Sequence, residues 1–183
     1  VHHLWFSDAD YVRKGNLIKW NPAVKTAADR DALRAGLLDG SVDVVATDHA
    51  PHTLEEKERP YANAPSGGPL VQHSLPMMLE LSAQGVLPVE TVVEKMCHAP
   101  ARLFGVRDRG FLRTGHFADI VLVRPADPWT VSKENILYKC GWSPLEGTAF
   151  SHRVVRTLVN GRTVYADGRV DTAHRGAELE FDR

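Results

Sequence analysis

The chain has 183 residues, 43% of them hydrophobic and 25% charged, and its formal net charge is −1. This is the composition of an ordinary folded domain, and it excludes a strongly basic protein that binds nucleic acid or an anionic membrane through bulk charge. No apolar run approaches the roughly 18–20 residues of a membrane-spanning helix. Cys97 and Cys140 lie far apart and form no CxxC motif, so we expect a reduced, cytoplasmic protein. The opening residues, from Val1, resemble the interior of a domain.

The first hundred residues alternate strand and helix signals. A short apolar run at 17–20 ends at a proline, which predicts a strand. Residues 26–38 predict a helix, with Thr26 as its N-cap and Gly40 just past its end. The nearly continuous apolar run at 42–46 predicts a strand covered on both faces. Strand, helix and strand together predict a βαβ unit with parallel pairing.

A polar stretch at 49–63 follows, and its density of charge and proline predicts a long loop. Loops at the carboxyl ends of parallel strands are where α/β folds keep their chemistry. The charge run at 55–59 is expected to be a solvated loop, and a mobile lid that folds over a bound ligand is the alternative. Prolines at the predicted helix starts and glycines after their ends then predict helices that span residues 69–83, 88–96 and 100–104.

From Arg109 the pattern changes to short strands, which predicts a small β-layer. The predicted strands span residues 118–123, 154–159 and 162–165. Asn160-Gly161 between the last two is a strong signal for a two-residue hairpin turn. The tail after Thr172 is charged and unpatterned, so we expect it to be extended over the surface or disordered.

The segment with the clearest chemistry is ATDHAPH at residues 46–52. Asp48 directly follows the predicted buried strand, so its carboxylate is expected at the rim of a ligand pocket. An ionised carboxylate there needs a metal ion or a cationic partner, and zinc accepts both Asp and His ligands. Spacing alone leaves a local turn or a helix cap equally open, because these residues do not assemble three ligands.

Several motifs in one order carry a family resemblance. The sequence VATDHAPHT at 45–53, followed by Glu-Glu-Lys at 55–57, resembles the strand-eight segment of dihydroorotases in the amidohydrolase superfamily. KWNP at 19–22 resembles the strand-seven Lys-x-Asn-Pro-Pro motif of the same family. Further similar segments are HHL at 2–4, SDAD at 7–10, APSG at 64–67, GHFADIVLV at 115–123 and VNG at 159–161.

The resemblance implies an α/β fold with two structural parts and a tail. Residues 1–108 would be the carboxyl-terminal part of a TIM (β/α)8 barrel of the metal-dependent amidohydrolase type. Residues 109–170 would form a small β-sandwich segment of a composite domain, and residues 171–183 a tail.

The resemblance also implies roles for five residues. Asp48 would bind zinc and act as the general base and acid. Asn21 and His52 would hold a substrate carboxylate, and main-chain groups of Ser66 and Gly67 would contact the substrate ring. The family's complete enzyme is expected to hold two zinc ions. The other ligands of this family lie in earlier barrel strands that this sequence lacks, so the chain alone is expected to be inactive.

The implied reaction is the reversible, zinc-dependent cyclisation of N-carbamoyl-L-aspartate to L-dihydroorotate in pyrimidine synthesis. Two departures from the family pattern, NPAVK at 21–25 and GPLVQH at 68–73, leave another cyclic amidohydrolase open: a hydantoinase, a dihydropyrimidinase or an allantoinase. Asn21 and His52 favour dihydroorotase, because a substrate with a carboxylate needs such donors. A dihydroorotase-like subunit without catalysis and a generic α/β domain also stay open at this point.

Several further side chains have structural interpretations. His49 is expected to brace the turn at Asp48 or to support the metal ligands from behind, and His73 to be packed or to lie on the surface. Trp142 and Phe150 are expected to form an apolar surface patch suited to subunit contact. A symmetric homodimer that acts on a small molecule, without nucleic-acid or membrane partners, is the expected assembly.

Overall fold

The computed structural model describes residues 1–182, apart from the side chains of residues 126 and 127. The α-helices are α1 (Tyr11–Lys14), α2 (Ala27–Asp39), α3 (Leu54–Lys57), α4 (Ser74–Ala83), α5 (Val89–Val93) and α6 (Ala99–Phe104). The strands are β1 (Ile120–Thr130), β2 (Ala149–Val159), β3 (Arg162–Ala166) and β4 (Arg169–Val170). Short 3-10 helices lie at His2–Leu4, Asp8–Asp10, Gly15–Ile18 and Lys133–Asn135, and a π-helix at Glu94–His98. The first half is therefore helical and irregular, and the second half holds the sheet.

Helix α2 forms as the sequence predicts, because its ends carry their own signals. The Thr26 hydroxyl accepts a hydrogen bond from the Asp29 N–H (3.3 Å), and the Asp29 carboxylate accepts one from the Thr26 N–H (3.0 Å). This capping box satisfies donors that the first helical turn leaves free. Gly40 ends the helix with φ +88°, a left-handed conformation that glycine adopts without strain.

The two strands predicted on either side of α2 are absent as sheet strands in the described part of the chain. Where residues 17–20 were predicted to be extended, Gly15–Ile18 is a 3-10 helix, and the Lys19 N–H bonds back to Asn16 O (3.0 Å). Residues 43–48 belong to no helix or sheet, and the Val45 N–H donates to a helix carbonyl rather than to a strand. A strand buried in a parallel sheet needs neighbours on both edges. Since residues 1–182 supply none, the predicted parallel βαβ unit is wrong for this chain.

One helical stretch runs from Val89 to Phe104, where the sequence predicted two separate helices. The π-helix joins its two parts, with the Ala99 N–H donating to Glu94 O. Pro100 has no N–H to offer the preceding turn, so the carbonyl of Lys95 is free to accept the Val45 N–H (3.0 Å). The helix thereby anchors the segment 43–48, a use of a π segment seen often beside functional sites.

Helix α4 forms the centre of the core, although it begins at Ser74 rather than at residue 69 as predicted. Its Met77, Met78 and Leu81 are fully buried and pack in one cluster with Phe150 of β2. Trp142 and Phe150 are 2% and 0% exposed, so the predicted apolar surface patch is wrong. Large aromatic side chains stabilise a core in proportion to the apolar area they bury.

The sheet is antiparallel, with strands in the order β1-β2-β3-β4. Asn160 (φ +52°) and Gly161 (φ +76°) form the predicted hairpin turn between β2 and β3, since two positive φ angles match the twist of the strands. The buried Arg109 ties this turn to the incoming chain, because its guanidinium donates to Asp119 and to Asn160 Oδ1 (2.8 Å). The same guanidinium lies 4.0 Å over the Phe117 ring.

The carboxyl-terminal tail runs over the surface, one of the two outcomes expected from its composition. Its last described residues pair with the segment after α6: the Asp182 N–H donates to Gly105 O (2.8 Å), and the Arg107 N–H donates to Glu180 O (2.9 Å). Within residues 1–182, no helix combines the length and the apolar character needed to cross a membrane.

We predict that Gly110→Ala destabilises the fold more than Gly115→Ala does. Both glycines have positive φ, +79° and +87°, so both variants carry the conformational cost. A Cβ at Gly110 would lie 2.5 Å from the Cβ of Ala101 and 2.8 Å from Cys97 O, whereas nothing lies within 4 Å of one at Gly115. The expected loss in the free energy of unfolding is about 2–4 kcal/mol for Gly110→Ala and about 1 kcal/mol for the control. Equal losses in urea denaturation would contradict the close contact.

Candidate functional site

Asp48 ends the segment 43–48 and is exposed to solvent. Its φ is +47°, so the chain turns sharply here in a conformation that is unusual for a residue with a side chain. The nitrogen of Val1 donates to Ala46 O (2.6 Å), which brings the first residues beside Asp48. Burial lowers the pKa of His3, and the negative charge of Asp48 acts in the opposite direction. A carboxylate and an imidazole therefore share this end of the segment.

The side chains around Asp48 do not form a complete metal site. Among residues 1–182 there is no group of three His, Cys, Asp or Glu side chains arranged to hold a metal ion. A zinc site needs at least three protein ligands, and Asp48 supplies one chemically suitable carboxylate. His2 is buried against the Trp20 ring, with centroids 4.5 Å apart, and burial lowers its pKa to about 3. The donor set in this chain thus does not fit zinc by itself.

His49 organises the start of the next segment. Its Nδ1 accepts hydrogen bonds from the N–H groups of Leu70 (3.0 Å) and Val71 (3.3 Å). The Nδ1 of His49 is therefore the acceptor nitrogen of this ring. The ring also lies 5.4 Å from that of Tyr138. His49 therefore braces the segment before α4, a longer-range role than the local turn expected from the sequence.

His52 and Ser66, two of the expected substrate-binding residues, are in direct contact. The Nε2 of His52 lies 3.0 Å from Ser66 O, and a carbonyl only accepts, so Nε2–H is the donor. The other ring nitrogen lies 3.8 Å from Glu56 Oε2. The main chain of His52 is fixed as well, since Trp142 donates its indole N–H to His52 O (2.8 Å).

Gly67 lies where a side chain has no room. Its φ is +114°, and a Cβ there would lie 2.6 Å from Ala50 O. The Gly67 N–H donates to Lys19 O (2.9 Å), which draws the chain before Asn21 against the same loop. Because that N–H is already used, Gly67 would meet a ligand through its Cα surface or its carbonyl. Asn21 itself is exposed, with a cis peptide bond to Pro22.

Two lysines, Lys57 and Lys19, hold the loop around Gly67 in place. The sequence motifs assigned neither of them a role. Lys57 was expected in a solvated charge run, but α3 buries it to 1% exposure. Its Nζ donates to Gly67 O (2.7 Å), Pro65 O (2.9 Å) and Lys19 O (3.3 Å). Lys19 Nζ donates to Tyr61 O and Ala64 O, both at 2.6 Å. The signal that could have found Lys57 is its position four residues after the Thr53 helix cap, which fixes the face of α3 on which it lies.

Four of the five expected site residues thus belong to one bonded unit or lie beside it. The members in contact are His52, Ser66 and Gly67, and Asn21 follows two residues after Lys19. Asp48 is less closely joined: it lies two residues before Ala50, which packs against Gly67, and its side chain is open to solvent. A cavity of about 420 Å³ lies elsewhere, between the segment before α4 and the sheet, lined in part by Leu75, Val121 and Trp129.

Comparisons with known proteins give one family model and relatives of two kinds, dihydroorotases by sequence and a hydantoinase by structure. The family model described as the amidohydrolase family matches residues 5–164. A dihydroorotase of Pelobacter propionicus is 41% identical over 165 residues, which is 90% of this chain and 38% of that protein. A dihydroorotase of Halobacterium salinarum is 39% identical over 178 residues, 97% of this chain and 42% of that protein. Among solved structures, an L-hydantoinase (dihydropyrimidinase) from Arthrobacter aurescens superposes with a TM-score of 0.86 at 32% identity, over 93% of this chain and 39% of that one. The chain therefore spans about two-fifths of the length of the relatives it matches.

We predict that His49→Ala speeds hydrogen exchange at the amides of Leu70 and Val71 by about tenfold. The variant removes the acceptor of both N–H groups, and one hydrogen bond of this kind contributes about 0.5–1.5 kcal/mol. The Gly67 amide is an internal reference, since it donates to Lys19 O and not to His49. His98→Ala, a change at a histidine of the π-helix, is the control. Unchanged exchange at both amides would refute the bracing role of His49.

Proposed function

This chain belongs to the amidohydrolase family, and we propose that it is the carboxyl-terminal part of a dihydroorotase. The observation that carries the proposal is the bonded unit of His52, Ser66 and Gly67 beside Asn21, with Asp48 two residues before Ala50, whose carbonyl lies against Gly67. An imidazole and an amide are suitable donors for a substrate carboxylate, and the acid is suited to moving a proton. The dihydroorotases of two organisms, at 39–41% identity, support this substrate class.

We propose that residues 1–108 complete a (β/α)8 barrel together with segments beyond the described residues, and that 109–170 form part of a composite β-domain. In this arrangement the segment 43–48 becomes a barrel strand, and neighbouring strands supply its missing ladder partners. The superposition on an L-hydantoinase, of which this chain covers 39%, supports a larger common fold. These residues together with the segments that supply the other metal ligands make up what we call the complete enzyme.

In the proposed mechanism Asp48 moves a proton from the attacking water to the departing ring nitrogen. In the hydrolytic direction a water molecule adds to the ring carbonyl of dihydroorotate, and the bond between that carbon and the ring nitrogen breaks. Asp48 takes a proton from the attacking water and delivers it to the departing nitrogen, which becomes the NH2 of the carbamoyl group in N-carbamoyl-L-aspartate. When bound, zinc supplies Lewis acidity and water of lowered pKa. Because residues 1–182 hold no group of three side chains that could bind a metal ion, we propose that the chain is inactive by itself.

Substrate binding is proposed to rest on the loop around His52. Asn21 is exposed and has its amide available to donate to a carboxylate. His52 already gives its Nε2–H to Ser66 O, so a direct bond from His52 to a carboxylate uses the other ring nitrogen in its protonated form. We also propose a cytoplasmic location for the protein. The free thiols of Cys97 and Cys140 support it, because thiols stay reduced in that compartment. A homodimer stays a prediction.

The second candidate is a cyclic amidohydrolase of the hydantoinase type, favoured by the superposition on the Arthrobacter aurescens enzyme. A substrate panel separates the two: dihydroorotate, hydantoin, dihydrouracil and allantoin, each with the complete enzyme. We predict the highest kcat/KM for dihydroorotate, because its carboxylate is the group that Asn21 and His52 would recognise. A preference for hydantoin would replace our proposal with the second candidate. The isolated 183-residue chain serves as the negative control, and turnover by it would disprove the need for further ligands.

We predict that Asp48→Ala lowers kcat of the complete enzyme by at least about a hundredfold, the scale of general acid-base catalysis. Asp43→Ala is the matched control, since Asp43 is an exposed aspartate at the other end of the same segment. That variant is expected to keep wild-type turnover. Near-normal kcat in Asp48→Ala would exclude Asp48 from the mechanism.

A further inference from the structure

Lys57 is a buried lysine with no role in the proposed chemistry. It ends α3, the short helix whose N-cap, Thr53, directly follows His52. Its side chain is 1% exposed, which is rare for lysine because the ammonium loses its hydration. Burial lowers the pKa of Lys57 to about 8, and the charge of Lys19 acts in the same direction. The group therefore still carries its proton at neutral pH.

The ammonium of Lys57 finds a matched set of acceptors. It has three N–H donors, and three carbonyl oxygens surround it, those of Gly67 (2.7 Å), Pro65 (2.9 Å) and Lys19 (3.3 Å). Carbonyls accept well from a charged donor but carry no charge that would neutralise it. A geometry of this kind suits a cross-link between main-chain segments more than an ion pair.

The three carbonyls belong to the segments that carry the proposed substrate contacts. Ser66 lies between Pro65 and Gly67, and its own carbonyl is held by His52 (3.0 Å), so all three consecutive carbonyls accept from side chains. Lys19 lies two residues before Asn21, and its carbonyl also accepts the Gly67 N–H (2.9 Å). Lys57 thus joins the chain that follows His52, the loop at Ser66 and the approach to Asn21.

We propose that Lys57 is a positioning residue for substrate binding, which fixes His52, Ser66 and Asn21 relative to one another through these three carbonyls. This inference rests on the proposed function, since it concerns the same site. Lys57 does not touch the substrate, and Asp48 lies outside the cross-linked segments. Loss of the cross-link is therefore expected to weaken substrate binding more than it slows the chemical step.

The test compares Lys57→Met with Lys95→Met in the complete enzyme. Methionine keeps the length and apolar stem of lysine but removes the donors. Lys95 is a matched control: it is 8% exposed, and its Nζ donates to a main-chain carbonyl, Val42 O (2.6 Å), which precedes the segment 43–48 at the end opposite to Asp48. KM and kcat for dihydroorotate, and hydrogen exchange at the Gly67 amide, are measured for both variants.

We expect Lys57→Met to raise KM by roughly 10–100-fold while kcat changes by less than about fivefold, since groups misplaced by about 1 Å bind poorly. Exchange at the Gly67 amide should accelerate by about tenfold, because its acceptor segment is no longer held. Lys95→Met should leave KM and the exchange rate at the Gly67 amide unchanged. The same KM in Lys57→Met as in Lys95→Met would overturn the proposal, whether or not the Gly67 exchange rate rises.

A second variant covers the case in which Lys57→Met does not fold. Lys57→Gln keeps two N–H donors without the charge, so it should raise KM by a smaller factor, about 3–10-fold, and wild-type KM in that variant would refute the positioning role. The substrate preference of the wild-type enzyme separates this inference from the proposed function. If the wild type prefers hydantoin, the proposed function fails, and the exchange rate at Gly67 still decides whether Lys57 holds the loop.

Discussion

Main-chain polar groups that no bond within a helix or sheet satisfies need hydrogen-bond partners, and in this chain distant side chains supply several of them. Carbonyl oxygens accept from the side chains in the following pairs: Pro144 from Lys14, Leu4 from Arg34, Val42 from Lys95, Gly67 from Lys57 and His52 from Trp142. These bonds span 10 to 130 residues of sequence. The positions of the irregular segments are therefore set by tertiary contacts rather than by local conformation.

That constraint explains why a charged residue is buried at the site. The loop at Gly67 has a positive φ and buried glycines, and it directs its carbonyls toward the protein interior. An unpaired buried carbonyl destabilises the fold by about 1–3 kcal/mol. One ammonium satisfies three carbonyls, which offsets the cost of its own desolvation. The proposed substrate-binding loop is thus held in place by buried hydrogen bonds from a charged side chain to main-chain carbonyls.

The features that the sequence predicted correctly are those whose signals are local. The helix after Thr26 carries its cap and its stop within 15 residues, and the hairpin at Asn160-Gly161 carries its turn in two. The prediction for residues 42–46 was wrong because a strand exists only through its neighbours, and apolar character alone does not provide them. The prediction for Lys57 was wrong for the same reason: its burial depends on carbonyls contributed by segments up to 38 residues away. Of the expected site, the contact between His52 and Ser66 could be anticipated only as proximity, since no spacing rule gives the direction of a side chain.

On the proposed function, the unpaired segment 43–48 and the incomplete set of metal ligands around Asp48 have a common physical origin. The segment uses its main chain in few contacts, among them the Val45 N–H to Lys95 O and the Ala46 carbonyl to the nitrogen of Val1. An apolar segment with open main-chain edges is stabilised when further strands pair with it. Strands added beside it would end at the same edge as Asp48, since parallel strands present their carboxyl ends together. Pairing of further strands with the segment 43–48 would therefore also bring new side chains to the Asp48 carboxylate. Folding and assembly of the catalytic centre would then be one process.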